Sequence, residues 1–153
     1  MPHSTARALV IAYGNPHRQD DRVGHVIADA VRTWADETGI AVDVLAAYQL
    51  DVDMIEQIGA AVLVVFVDAH RREFSEEVVC QRVEPQADAG FTTHAFTPAG
   101  LMALAKQMIG AAPRAFIVSV PGYAFDMGDE LSERTRTLAV DAIARVQQLV
   151  VGV

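Results

Sequence analysis

The chain has 153 residues, 52% of them hydrophobic and 21% charged, and a formal net charge of −8 at pH 7. That balance excludes a disordered tail or linker and allows one domain, residues 1–153, with a core that needs no disulfide or metal for stability. The negative charge argues against nucleic acid and against an anionic membrane, both polyanions.

The predicted elements alternate between strand and helix. Residues 7–13 form an apolar strand that ends in Gly14-Asn15-Pro16. Residues 22–37 follow as an amphipathic helix with Val23, Val26, Ile27, Ala30, Val31 and Trp34 on one face, stopped by Gly39. Residues 41–47 are a second strand, and residues 51–58 a short helix with Val52, Ile55 and Ile58 inward. Residues 61–67 are apolar throughout, which suits a central parallel strand covered on both faces. Residues 69–75 read as a polar loop. Residues 76–83 read as a fourth strand that, with no helix before it, must be antiparallel and at an edge. A long loop over 84–97, a helix over 98–109, a strand over 114–120 and a helix from Ser132 to about 150 complete the chain. The buried face of that last helix is Leu138, Ala139, Ala142, Ile143, Val146 and Leu149. The expectation is a three-layer α/β domain: a five-stranded, mostly parallel twisted sheet with one antiparallel edge strand and helices on both faces.

Cys80, the one cysteine, allows no intramolecular disulfide and no cysteine-cluster metal site, as suits a reducing cytoplasm. Its position in the fourth strand predicts a buried, inert thiol. The N-terminus lacks the pattern of a signal peptide, and no apolar run approaches membrane-spanning length, so a cytoplasmic location is expected.

Candidate chemistry gathers where open α/β sheets place ligands, in the loops after the central strands. Asp20 and Asp21 stand at the start of the first helix. Acids there also cap helices and complement the dipole, and adjacent helical residues face different ways, so at most one of the pair points into a site. Asp68 ends the third strand, where a carboxylate is costly to bury unless it is paired or bound to a cation. His94 lies in the long loop, and imidazole is a common ligand for nickel, zinc and copper. It has rivals: His25, four residues after Asp21 and on the same helix face, and His70, beside Arg71-Arg72 and expected to be exposed. His17 reads as solvated. The zinc-protease, serine-hydrolase, phosphate-loop and dinucleotide-binding motifs are absent.

The run Gly14-Asn15-Pro16-His17-Arg18-Gln19-Asp20-Asp21-Arg22-Val23-Gly24 resembles the G-N-P-x-R-x-D-D-G-x-G opening of hydrogenase maturation endopeptidases. The likeness continues through Tyr48-Gln49-Leu50, Val65-Phe66-Val67-Asp68-Ala69 and the His94 region to Phe125-x-x-Gly128-x-x-Leu131-Ser132. It implies a cytoplasmic protease that removes the C-terminal extension of a nickel-iron hydrogenase large-subunit precursor after nickel insertion. It also implies that Asp21, Asp68 and His94 are the catalytic and metal-contacting residues, that the divalent metal is nickel carried by the precursor, and that the enzyme acts as a monomer. Arg22 departs from the family pattern, where Gly is usual, and Tyr48 also differs from many relatives. Two other readings of the same trio are a metal-dependent hydrolase of a small substrate and a non-catalytic metal-sensing module.

Overall fold

In the computed structural model the described residues are 7–87, 96–110 and 112–153. Strands β1 (Ala8–Tyr13), β2 (Val42–Ala47), β3 (Leu63–Arg71), β4 (Val79–Arg82) and β5 (Arg114–Gly122) form one sheet in the order β2-β1-β3-β5-β4. The pairs β1–β2, β1–β3 and β3–β5 are parallel, and β4 runs antiparallel to β5 at the edge. The helices are α1 (Val23–Thr38), α2 (Ile55–Ala60), α3 (Pro98–Ile109) and α4 (Glu133–Val151).

The three layers follow from the period-2 alternation of the central strands. Val10, Ala12, Val65 and Val67 point to one face, where they pack with Val23, Ile27 and Val31 of α1 and Ala142 and Val146 of α4. Leu9, Ile11, Val64 and Phe66 point to the other, with Ile55 and Ile58 of α2 and Leu101 and Met102 of α3. Strands covered on both sides can be apolar at every position, as Leu63 to Val67 are.

Ser132 caps α4 by accepting a hydrogen bond from Thr135 N–H at 3.3 Å, while its hydroxyl donates to Asp20 Oδ2 at 2.7 Å. Ser132→Ala should therefore cost about 1 kcal/mol or more, since it also removes a donor to Asp20. A lowered midpoint with an unchanged slope in urea unfolding would register the loss.

Several expectations are corrected. β3 begins at Leu63 and runs to Arg71, because its backbone keeps pairing with β5 as far as Gly122; residues 69–71 are strand and not loop. Cys80 is exposed, because β4 is a short edge strand with no helix over that side chain. Val52 is exposed, and Met54 takes the inward place in the turn before α2. On α1, Val26 and Ala30 are only half-buried, while Gly24, Ala28 and Ala35 are buried, so small residues carry the close contact with the sheet. The 84–97 loop falls partly outside the described residues. No helix among the described residues is long and apolar enough to cross a membrane.

Candidate active site

The order β2-β1-β3 means the chain leaves β1 toward one side of the sheet and later resumes on the other. A crevice opens at such a switch point, outside the carboxyl ends of the strands. β1 and β3 pair through Ala12 and Val67, and the next residue on each strand is Tyr13 and Asp68. Both share the face of Phe66 and Ile11, turned toward α2 and α3. The Tyr13 hydroxyl lies close enough to the Asp68 carboxyl group for each to shift the other's ionisation.

Asp21 reaches the same place from the first loop. Gly14 has φ +145°, and a Cβ there would collide with the Asp21 carbonyl oxygen, so only glycine lets the loop fold back this tightly. Asn15 N–H donates to Asp21 Oδ2 at 2.7 Å, and Asn15 Oδ1 accepts from His17 N–H at 2.9 Å. Gly24 brings the first turn of α1 onto the strand ends, where a Cβ would stand 3.1 Å from Tyr13 O and 3.2 Å from Val67 O. The motif's glycines thus serve close approach, which sets Asp21 within electrostatic reach of Asp68.

Asp68 pays for this position. Burial pushes its pKa up to about 7, a bond from Ala69 N–H at 2.7 Å opposes the rise, the negative charge of Asp21 adds to it, and the Tyr13 hydroxyl opposes it. Burial, together with Asp68 and then Asp21, pushes the Tyr13 phenol far up, so it remains a protonated donor.

Asp20 has a different task. It is fully buried and accepts from Tyr123 N–H (2.7 Å), Ala124 N–H (3.0 Å), Ser132 N–H (2.7 Å) and the Ser132 hydroxyl (2.7 Å). Burial acts to raise its pKa, but these bonds outweigh it and hold the carboxyl below the usual range. Gln19 joins the same clamp, its N–H bonding Gly128 O and its Oε1 accepting from Asp126 N–H. The adjacent acids therefore divide as helical geometry requires. One locks the first loop to the loop before α4, and the other faces the crevice.

The rival imidazoles are engaged in the scaffold. His25 Nε2 lies 2.8 Å from Gly14 O and steadies the glycine turn. His70 is half-buried, contrary to expectation: Nε2 bonds Ser75 O at 2.9 Å and Nδ1 pairs with the Ser119 hydroxyl at 2.7 Å. The extension of β3 past Asp68 brings it there. His17 is exposed beside Asp129. Arg22 lays its guanidinium on Pro16 O at 3.3 Å and forms no ion pair with Asp21 or Asp68. His94 lies outside the described residues. Among the described residues no three His, Cys, Asp or Glu side chains are grouped to hold a metal ion. Asp21 and Asp68 supply two hard oxygen donors of the kind a divalent cation takes.

Tyr13 is the site residue that the motifs missed. The signal was available: it is the last residue of β1, one step before the glycine turn, and strand pairing alone sets it beside Asp68. Tyr48 and Gln49 line an open groove of about 370 Å³ along the carboxyl end of β2, and Leu50 anchors that segment in the core.

Solved structures with this fold include hydrogenase maturation proteases. The [NiFe] hydrogenase maturation protease HybD from Thermococcus kodakarensis is 18% identical and superposes with a TM-score of 0.71, over 94% of this chain and 99% of that one. The hydrogenase maturating endopeptidase HybD from E. coli is 16% identical with a TM-score of 0.71, over 92% and 89%. The maturation protease HycI from Thermococcus kodakarensis KOD1 is 20% identical with a TM-score of 0.67, over 95% and 92%. No protein-family model and no curated protein matches the sequence. The fold is thus that of the family whose motifs the sequence resembles, over nearly its whole length.

Proposed function

We propose that the chain is an endopeptidase that removes the C-terminal extension of a nickel-iron hydrogenase large-subunit precursor once nickel has been inserted. The observation that carries this reading is the convergence of Asp21 and Asp68 at the β1/β3 switch point, in a fold shared with hydrogenase maturation proteases. Nickel belongs to the precursor, and Asp21, Asp68 and His94 contact it on docking. Two carboxylates and an imidazole suit a divalent ion of that kind. Phe96, two residues beyond His94, packs on the same core layer as Tyr13, which favours that loop as the source of the imidazole.

Peptide hydrolysis needs a base for water and an acid for the leaving nitrogen. Asp68, its pKa raised by burial, and Asp21 within electrostatic reach of it supply these two roles, as in an aspartic-type peptidase. Tyr13 acts as a positioning residue: its hydroxyl lies beside the Asp68 carboxyl group at the crevice. Arg22 donates to the Pro16 carbonyl and forms no ion pair with Asp21 or Asp68, which leaves both carboxyl groups open to a substrate and favours a working site over a non-catalytic one.

The test is incubation with nickel-loaded and nickel-free precursor, followed by mass spectrometry of the large subunit. Release of a defined C-terminal fragment from the loaded form alone is expected. Asp21→Ala, Asp68→Ala and His94→Ala should each reduce processing by at least about a hundredfold, the scale of a lost acid–base group. Full processing by His94→Ala with an inactive His25→Ala would move the imidazole to α1. Cleavage of nickel-free precursor at the same rate would remove nickel from the reading.

A further inference from the structure

Among the described residues, the guanidinium groups of two arginines just beyond Asp68 have no polar partner. Arg71 is the last residue of β3, Arg72 follows it, and both are exposed. Arg71 Cζ lies 5.1 Å from the centroid of Phe125, and Arg72 Cζ lies 5.5 Å from that of Tyr123. Stacking on a ring holds a guanidinium plane in place while leaving its in-plane N–H donors unused. Among the described residues neither guanidinium has a carboxylate or any other hydrogen-bond acceptor, although Arg7, Arg32, Arg82 and Arg145 are all paired. In a chain with 20 acidic and 12 basic residues, partners were not scarce. Among the described residues the hydroxyl of Tyr123, the ring under Arg72, is also buried without a partner. Phe74, 83% exposed, stands two residues further on, and Arg18, whose backbone bridges to Gly128, adds a third cation to the same loops.

The order of the sheet gives these features a line. The groove at the end of β2 lies on one side of Asp21 and Asp68, and Tyr123 and Phe125, the rings just after β5 that carry the two arginines, lie on the other. We infer that Arg71 and Arg72 form a docking site for carboxylates of the peptide segment being cut. This deepens the endopeptidase reading and rests on it. Arg71 and Arg72 follow Asp68 by three and four residues and leave the strand end on opposite sides, roughly 10–13 Å along the chain, which three or four extended peptide residues span. The acidic side chain or terminal carboxylate therefore lies three or four residues from the scissile bond, where the pre-set guanidinium planes take it in bidentate fashion. The site also offsets the repulsion that Asp21 and Asp68 present to an acidic segment.

The test uses the full chain and two fluorescent decapeptides that differ only in carrying two Glu or two Gln. Anisotropy at low salt should show about tenfold tighter binding of the Glu peptide, equivalent to one charge-assisted contact. Arg71→Gln/Arg72→Gln should abolish the preference. Arg71→Lys/Arg72→Lys should keep part of it, which separates lost charge from lost stacking or folding. Equal affinity of the wild type for both peptides would overturn the docking site. With nickel-loaded precursor, the Gln double variant should raise KM about tenfold at unchanged kcat. Wild-type KM in that folded variant would also overturn the docking site, whereas absence of cleavage by the wild-type chain would overturn the endopeptidase reading instead.

Discussion

Asp68→Asn is expected to raise the melting temperature at pH 8 by roughly 4–8 °C and, on the proposed endopeptidase reading, to abolish cleavage. The folded protein holds Asp68 at about 7 against an ordinary value of 3.8. A carboxyl group with a raised folded pKa favours folding fully only below its unfolded value. Its contribution is lost as pH climbs from about 4 to about 7. The shift carries at most ~4 kcal/mol, and Asn keeps an oxygen for Ala69 N–H, so a gain on the order of 2 kcal/mol is expected above pH 7. Thermal melts of both proteins from pH 4 to pH 8 check this. The curves should nearly coincide at pH 4 and separate progressively to pH 7. A constant gap, or a less stable Asn variant at pH 8, would mean that Asp68 is not held protonated by its surroundings. On the proposed endopeptidase reading, instability kept at a site and relieved by removing its charge is the trade of stability for function.

The opposite substitution pattern belongs to Asp20. Asp20→Ala should lower stability by about 3–5 kcal/mol, because three backbone N–H groups and a hydroxyl lose one buried acceptor together. The expected fall in melting temperature is roughly 10 °C or more. Here the folded pKa is depressed, so the stabilisation is present above 3.8 and lost as pH falls through the lower folded value. Acid titration followed by circular dichroism should find wild type losing stability below about pH 4 and Asp20→Asn losing much less over that range. A variant at Asp20 that melts like wild type would show that the clamp between the two loops is dispensable. These two aspartates, adjacent or nearly so to one crevice, thus have opposite signs: Asp68 costs stability when ionised and Asp20 supplies it.

What could be read in the residues depended on how local the cause was. α3 was placed at 98–109 as it stands, because Thr97, Pro98 and Gly110 mark its ends by short-range chemistry. The end of β3 was not, because residues 69–71 are polar and only pairing with β5 keeps them extended. Cys80 was misplaced for a related reason. A strand pattern gives no sign of which strand is at the edge or which face lacks a helix.

The site divides in the same way. Asp21 and Asp68 were legible from position, since a carboxylate at the tip of an apolar strand and an acid at a strand-to-helix turn both demand an explanation. Tyr13 was not, because an aromatic at a strand end is ordinary until its neighbour on the next strand is known. Nor were Arg71 and Arg72, whose lack of partners is a property of the folded surface. The sequence by itself determined the alternation of elements, the apolar central strands and the pair of acids, because these follow from periodicity and local capping. Only the tertiary structure decided which of Asp20 and Asp21 faces the crevice, how far β3 extends and why Asp68 keeps its proton, because burial and charge coupling arise between segments that meet only when the sheet closes.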